Sequence, residues 1–290
     1  MKKLAFILTV LLVGLNNIDL KAQVLDPNES PLDGVYSKSL NNPNRKPVPY
    51  VQLREADLMW LKRIWREVDL REKINQVFYY PIEPDQGRKN LMTIILESVT
   101  ESGNITAYKA YEGINPTDMF NIPMTPEEVK GQLSDTTSTT YEHPVTFEVR
   151  DTTLVEMLTA DQITKFRLKE EVFFDKQRSV METRILGIAP LKPQKAPDGT
   201  ITGFMPAFWI YFPEARRVFA QAEVYNRHND VHRLTYDDVF LKRMFASRII
   251  KESNVYNRSI DEYKAPMDAL LEAEQILDDI RNREHDLWSF

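Results

Sequence analysis

Two patterns of hydrophobic and polar residues alternate along the chain and predict a mixture of helices and strands. Apolar residues spaced three and four apart predict amphipathic helices, at 54–69, 90–98 and 266–283. The nearly unbroken apolar run at 204–212 predicts a buried strand. Residues 172–188 predict a strand, a charged turn and a second strand, and we expect 180–189 to pair with 204–212 as an antiparallel hairpin.

Helix starts and polar runs complete the predicted elements. Thr125 and Thr235 each precede a carboxylate by three residues, which is the spacing of a helix N-cap, and we expect a long helix after Thr235. Thr159 predicts another helix start. The first helix is expected to continue through 70–75 and to break into an extended aromatic patch at 78–81. The polar run at 134–140 predicts a loop, and the closing helix is expected to bury one stripe, formed by Ala269, Leu270, Ala273, Ile276, Leu277 and Ile280.

These elements indicate an α+β fold, in which an antiparallel sheet or hairpin packs against amphipathic helices in a single domain over residues 51–290. Residues 23–50 are rich in proline and asparagine and predict an extended arm, because proline disfavours both helices and central strands. This arm is either a disordered leader or a strap across a neighbouring subunit, with Tyr50 among its anchors. Residues 1–22 have the charged start, apolar run and small-residue end of a signal peptide.

The net charge and the lack of cysteine limit the classes of partner that we expect. The 290 residues carry 37 Lys and Arg against 43 Asp and Glu, which gives a formal net charge of −6. An acidic chain without a basic cluster is not expected to bind nucleic acid or an anionic membrane surface. The sequence contains no cysteine, and therefore neither a disulfide nor the lipid-bearing cysteine of a lipoprotein. Any membrane attachment is expected to be indirect, through a partner protein.

Few residues suggest catalysis or metal binding. His228 and His232 stand four apart, as in a helical zinc motif, but the glutamate of that motif is missing and the pair falls in a turn-rich corner. The adjacent acids Glu170 and Glu171 lie in a charged run that we expect to be solvated. No nucleophile motif, phosphate-binding loop or dinucleotide fingerprint is present. We therefore expect a protein that is not an enzyme and that uses no cofactor or metal.

Four long stretches of the sequence are similar to one family. They read WREVDLREKINQVFYYP at 65–81, VFFDKQRSVMETRILGIAP at 172–190, FWIYFPEAR at 208–216 and EVYNRHNDVHRLTYDDVFLKRMFASRIIKESNVYNR at 223–258. From about residue 50 onward the chain resembles the gliding motility family GldN, whose counterpart in non-gliding bacteria is PorN and whose paralogue GldO shares the pattern. The resemblance implies a structural, non-enzymatic subunit of the type IX protein secretion machinery, in the periplasm at the inner face of the outer membrane.

The resemblance also implies partners. A protein of this family would form a ring with copies of itself and with a lipoprotein, GldK or PorK, and would contact the motor protein GldM or PorM. A ring requires two dissimilar faces on each subunit, and aromatic anchors dominate interface energetics. The hypothesised interface residues are Trp60, Trp65, Tyr79 and Tyr80 on one face, and Asn226, Arg227, His228 and Arg233 on the other.

Two alternatives from other functional classes stay open at this point. A zinc-dependent periplasmic hydrolase would use His228 and His232 as metal ligands. A monomeric periplasmic protein that binds a small ligand would hold it in a cleft between two lobes. Zinc titration would test the first alternative, and gel filtration of the secreted form would test the second.

Overall fold

The computed structural model describes Val35 and residues 44–85, 87–113, 115–142, 149–196, 200–226, 229 and 231–288. The predicted signal peptide and most of the predicted arm lie outside these residues. The architecture given below is that of the unit Leu40–Phe290. Its helices and antiparallel strands confirm the predicted α+β class.

The elements are numbered in chain order. The strands are β1 Leu58–Asp69, β2 Ala107–Lys109, β3 Tyr111–Glu112, β4 Asn115–Pro116, β5 Ser134–Glu142, β6 Val149–Met157, β7 Lys165–Asp175, β8 Val180–Lys195, β9 Ile201–Pro206, β10 Phe208–Tyr211, β11 Glu223–Val224, β12 Leu234–Thr235 and β13 Arg248–Glu252. The helices are α1 Gln76–Tyr79, α2 Leu91–Thr100, α3 Pro126–Gln132, α4 Phe212–Gln221, α5 Tyr236–Leu241 and α6 Pro266–Trp288.

An antiparallel sheet forms the centre of the molecule. Within the described residues it has seven strands, in the order β13–β1–β7–β8–β10–β2, and β9 pairs with β8. Ile64 of β1 lies opposite Glu170 of β7, and Glu170 lies opposite Ile185 of β8. Because directly paired residues point to the same side of a sheet, these three side chains share one face.

That face carries two separate apolar clusters. The aromatic cluster lies under α1 to α5 and contains, among others, Phe78, Phe166, Phe208, Phe212, Phe219, Tyr236, Phe240 and Phe245. The aliphatic cluster lies under α6 and consists of Ile64, Val172, Ile249, Ile260, Ala269, Ala273 and Ile276. The helices are therefore gathered mainly on one side of the sheet.

The opposite face is covered by a loop instead of helices. A tryptophan cluster lies here, and its buried members are Trp65, Ala110, Ala189, Trp209 and Ile250. Phe120 packs against this cluster and approaches the backbone of Gly187 closely. A Cβ atom at position 187 would lie 2.5 Å from the Phe120 ring, so the close packing of the loop on the sheet requires glycine there.

Several sequence predictions are confirmed. The segment 172–188 forms β7, a turn and the start of β8, and residues 204–206 and 210–211 pair antiparallel with 191–193 and 187–188 of β8. The helix predicted at 90–98 forms as α2, and Asn90 caps it through its side chain, which accepts from the amide of Thr93 at 2.7 Å. Both predicted N-caps, Thr125 and Thr235, form capping boxes. The predicted hairpin is therefore confirmed in part. The pairing lies at 187–188 and 191–195 of β8, whereas 180–185 pair with β7. The run 204–212 is divided between β9 and β10, and Phe212 begins α4.

The helix predicted at 54–69 is wrong, because this segment forms the central strand β1. Both of its faces are partly buried, with Ile64 in the aliphatic cluster and Trp65 in the tryptophan cluster. Apolar residues that alternate irregularly between two buried faces imitate a helical spacing. The expected continuation of this helix through 70–75 is also wrong, since 70–75 form turns and the expected extended patch begins as the short helix α1.

Four smaller predictions also fail. Residues 134–140 form β5, which pairs with β6 in a two-stranded ribbon, and not a loop. Thr159 precedes only a 3₁₀ turn, Ala160–Gln162. The helix after Thr235 is short, because α5 ends at Leu241 and Arg243 takes a positive φ of 53°. Glu170 is not solvated, since it points into the helical side of the sheet and has 0% exposure.

Candidate interface surfaces

The two tryptophans of the hypothesised interface lie on opposite faces of β1 and are both engaged within the subunit. Trp60 packs against the aliphatic cluster, and the guanidinium of Arg283 lies 5.6 Å from its ring. Trp65 is only 7% exposed. Its indole Nε1 donates to Asp118 Oδ2 at 2.6 Å, and Lys251 Nζ lies 4.6 Å from its ring. Burial lowers the pKa of Lys251. The structure therefore does not bring Trp60 and Trp65 together on one exposed face.

The two tyrosines that follow differ in exposure. Tyr79 packs against the aromatic cluster, and its hydroxyl donates to the carbonyl of Asp161 at 3.0 Å. Burial raises the pKa of the Tyr79 hydroxyl. Tyr80 is 52% exposed and contacts the Tyr79 ring edge-to-face at 5.0 Å. Tyr80 is thus the member of the first hypothesised face that offers an accessible aromatic surface on a fixed support.

The second hypothesised face is the corner between β11 and β12, of which Arg227 and His228 lie outside the described residues. Asn226 donates from Nδ2 to the carbonyl of His232 at 3.2 Å, which closes the corner. Arg233 Nη1 lies 3.1 Å from Glu223 Oε1. The short pairing of β11 with β12 fixes both sides of the turn.

The corner also exposes apolar side chains that the sequence did not single out. Val231 is 68% exposed, and Tyr225, which follows β11, is exposed as well. The guanidinium of Arg88 lies over the Tyr225 ring, 5.4 Å from its centroid. Exposed side chains held by hydrogen bonds and stacking are suited to binding another protein, because little side-chain entropy is lost on contact.

The end of the predicted arm packs on its own subunit. Arg45 Nη2 donates to Asp238 Oδ2 at 2.5 Å, at the start of α5. The Tyr50 ring lies 4.2 Å from the guanidinium carbon of Arg216 and 5.0 Å from that of Arg184. Burial raises the pKa of the Tyr50 hydroxyl. The suggested role of Tyr50 as an anchor on a neighbour is therefore not supported, because its ring is already held in place by two arginines of the same subunit.

The described residues of the corner do not form the helix that the zinc alternative requires. Asn226 and Asn229, on either side of His228, are not helical, and His232 is exposed in the turn. A zinc motif with histidines four apart needs both on one helix face. Over the described part of the chain, no group of three or more His, Cys, Asp or Glu side chains is arranged to hold a metal ion.

A groove of about 420 Å³ lies between α2 and α4. Its lining includes Lys89, Ser98, Asn104 and Gln221. Lys89 Nζ donates to both carboxylate oxygens of Glu97, at 2.7 and 2.6 Å. These two charges neutralise each other, and the groove lies between two helices on the same face of the sheet.

Several exposed apolar side chains that the sequence did not single out follow β13. We call them the acidic-rim patch, which consists of Val255, Tyr256, Tyr263, Met267, Leu270 and Leu271. Its rim carries five acids against two bases, namely Asp261, Glu262, Asp268, Glu272 and Glu274 against Arg258 and Lys264. Leu270 was expected in the buried stripe of the closing helix, but it is 44% exposed. The other members of that stripe are placed as predicted, since Ala269, Ala273 and Ile276 are buried and Leu277 and Ile280 pack against the aliphatic cluster.

The loop within the acidic-rim patch is held in one conformation. Asn254 Nδ2 donates to the carbonyl of Arg258 at 2.8 Å, and Asn254 Oδ1 accepts from the Arg258 amide at 3.0 Å. The Arg258 guanidinium lies 4.5 Å from the Tyr256 ring and 5.9 Å from the Tyr263 ring. Tyr256 is 75% exposed in spite of these contacts.

A second exposed apolar surface lies where α1 meets the end of α5. We call it the basic-rim patch, and its apolar members are Ile74, Tyr80, Leu241 and Met244. Asn75 joins its two halves, because its side chain donates to the carbonyl of Ala246 and accepts from the amide of Ala246, both at 2.9 Å. The exposed bases that lie near these side chains along the chain are Lys73, Lys242 and Arg248, and the exposed acids are Glu72 and Glu83.

Comparisons with known proteins complete these observations. Of the helices that the structure describes, none has the length and apolarity needed to cross a membrane. The family model described as gliding motility associated protein GldN matches residues 53–289. No curated protein matches the chain.

Proposed function

This chain belongs to the GldN family and is a component of the gliding motility and type IX secretion machinery, and we propose that it acts there as a structural subunit. In this proposal the subunit resides in the periplasm, at the inner face of the outer membrane. It forms a ring with copies of itself and with a lipoprotein of the GldK or PorK type, and it contacts the motor protein GldM or PorM.

The observation that carries this proposal is the extent of the family match. Residues 53–289 include the corner, the acidic-rim patch and the basic-rim patch. These exposed surfaces are therefore parts of the family domain itself. Large exposed apolar side chains rimmed by charge are typical of surfaces that other proteins cover.

An assembly of this kind needs several separate contacts on each subunit. A ring uses two dissimilar faces for its neighbours, and the lipoprotein requires a third. We assign the lipoprotein to the corner, where Tyr225 and Val231 are exposed beside Asn226 and Arg233. The corner is held by the β11–β12 pairing, so it offers a preformed turn to a partner.

The test is capture of the lipoprotein from detergent-solubilised envelopes by the tagged chain. The paired change Tyr225→Ser and Val231→Ser should lower capture by about tenfold or more, because exposed aromatic and branched anchors carry much of the energy of an interface. Both side chains are exposed, so we expect the variant to keep its free energy of unfolding within about 0.5 kcal/mol.

The matched control is Ile201→Ser, which removes another exposed apolar side chain at the start of β9. This control should retain full capture. Unchanged capture by the corner variant would place the lipoprotein contact elsewhere, and failure of the unaltered chain to capture any lipoprotein would refute the proposed function.

A further inference from the structure

The two apolar patches lie beyond opposite ends of the edge strand β13. Ala246 and Arg248, at the start of this strand, adjoin the basic-rim patch, whereas Val255 and Tyr256 follow its end. A strand of this length separates its two ends by about 13 Å at roughly 3.3 Å per residue. The patches are therefore distinct sites, and a contact at one leaves the other accessible.

The patches are complementary in charge. Acids outnumber bases around the acidic-rim patch, and bases outnumber acids around the basic-rim patch. Lys73, Lys242 and Arg248 have no ion-pair partner among the residues that the structure describes. Asp268 and Glu274 are exposed on α6. Facing these rims toward each other would pair opposite charges around two apolar centres, which is the arrangement that favours specific association.

From this complementarity we propose that copies of the chain associate head to tail, with the acidic-rim patch of one copy on the basic-rim patch of the next. The inference deepens the ring described under the proposed function and rests on it. Packing either patch against the same patch of a second copy would bring like charges together, which costs free energy. A head-to-tail contact repeats from copy to copy and closes when the rotation between neighbours permits.

Both patches are preformed, which lowers the entropic cost of association. Tyr256 and Tyr263 are braced by Arg258, and the loop between them is closed by Asn254. On the other patch, Tyr80 stands on a helix whose Phe78 stacks at 5.1 Å on Phe240 of α5. Tyrosine and arginine are among the residues most enriched at the energetic centres of interfaces.

Cysteine cross-linking tests this directly, since the natural chain has no cysteine. We would place Tyr80→Cys and Tyr256→Cys singly and together in the full chain, and treat intact envelopes with a flexible bis-maleimide. The double variant should give a ladder of cross-linked multimers. Neither single variant should give dimers, because each patch meets the other patch and not itself. Dimers from either single variant would overturn the head-to-tail arrangement.

Charge reversal provides a second test, which asks whether the rim charges contribute to the contact. In the double-cysteine background, Lys73→Glu with Lys242→Glu should lower the yield of multimers by about tenfold or more. Asp261→Lys with Asp268→Lys should do the same. Combining all four changes in one chain should restore the ladder, since the rims are again opposite in sign. Failure of the combined variant to recover multimers would contradict the proposed charge pairing.

Mixing gives the sharpest distinction. A chain with only its basic rim reversed keeps a working acidic-rim patch, and a chain with only its acidic rim reversed keeps a working basic-rim patch. Neither chain should form multimers alone, but together they should form the ladder, because both contacts between the two chains then pair an acidic rim with a basic rim. Each experiment is run beside lipoprotein capture. Absence of the ladder from the double-cysteine chain with retained capture refutes this inference alone, and loss of capture by the unaltered chain refutes the proposed function.

Discussion

The aromatic and aliphatic clusters lie on the same face of one sheet, yet they are built differently. Phe240 contacts four other rings of the aromatic cluster, with centroid distances of 5.1 Å to Phe78, 5.3 Å to Phe212, and 5.8 Å to both Phe219 and Phe245. The aliphatic cluster has no aromatic residue among its buried members and includes two alanines of α6. Larger side chains bury more apolar area, so the aromatic cluster contributes more to stability.

A buried charged group separates the two clusters. Glu170 lies between Leu168 of the aromatic cluster and Val172 of the aliphatic cluster on the same side of β7. Arg243 donates to both of its carboxylate oxygens, at 3.1 and 3.0 Å, and Arg66 Nε lies 3.0 Å away. Burial lowers the pKa of Arg66, and the charge of Glu170 opposes this shift.

The difference between the clusters bears on the proposed assembly. The elements that carry the basic-rim patch bury Phe78 and Phe240 in the aromatic cluster. The elements that carry the acidic-rim patch bury Ile260 and Ala269 in the aliphatic cluster. The two sides of a head-to-tail contact are therefore supported by different parts of the core, and each side can be weakened separately.

The largest expected effect comes from Phe240→Ala. Removing the ring at the centre of the aromatic cluster loses its transfer free energy and leaves a cavity, so the free energy of unfolding should fall by about 4 kcal/mol. Urea denaturation followed by tryptophan fluorescence would measure it. The adjacent change Leu241→Ala removes an exposed side chain and should alter stability by less than about 0.5 kcal/mol. Equal effects at the two positions would contradict the packing described for α5.

An intermediate effect is expected from Glu170→Gln, which removes the negative charge between the clusters. Two arginines would then face a neutral side chain in a buried site, and we expect a loss of about 3 kcal/mol. The neighbouring pair of Glu171 with Arg63 lies on the other face of the sheet and is partly exposed. Glu171→Gln should therefore cost less than about 1 kcal/mol. Comparable losses of stability in the two variants would show that burial of Glu170 does not increase the cost of removing its charge.

The sequence indicated much of this architecture where a local signal decides the structure. The capping boxes at Thr125 and Thr235 follow from residue types at a fixed spacing, and they form as predicted. The β8 hairpin was recognisable because its strands are apolar runs bounded by turn-forming residues. Family membership was also recognisable, because long stretches with a distinctive composition carry it.

The features that the sequence did not predict depend on contacts between residues that are far apart along the chain. Nothing local distinguishes β1 from a helix, since its assignment follows from pairing with β7 and β13. The burial of Glu170 depends on Arg243, which lies far away in sequence. For the candidate interface, sequence spacing could not tell Trp65, which is buried by Asp118 and Lys251, from the exposed Tyr80. The acidic-rim patch became visible only when the exposed side of α6 was known.

The smallest of the three stability effects is expected from Ile276→Ala, and it tests whether the two clusters unfold together. Ile276 is the largest buried side chain that α6 contributes to the aliphatic cluster, beside Ala269 and Ala273. We expect a loss of about 2 kcal/mol, at the low end for such a truncation, because a helix at the edge of the sheet can settle into the space. If α6 opens on its own, its amides should exchange roughly 30-fold faster, while those of α4 and α5 remain protected.

Leu271→Ala is the matched control on the exposed side of the same helix. It should leave hydrogen exchange of α6 unchanged and lower only the yield of cross-linked multimers. Uniformly faster exchange in α4, α5 and α6 of the Ile276→Ala variant would mean that the clusters form one cooperative unit in spite of the charged group between them. In that case the two sides of the proposed contact could not be weakened one at a time through the core. Selective exchange in α6 would instead link the stability of the acidic-rim patch to a single helix, so that mutations beneath it would reduce association before they reduce folding.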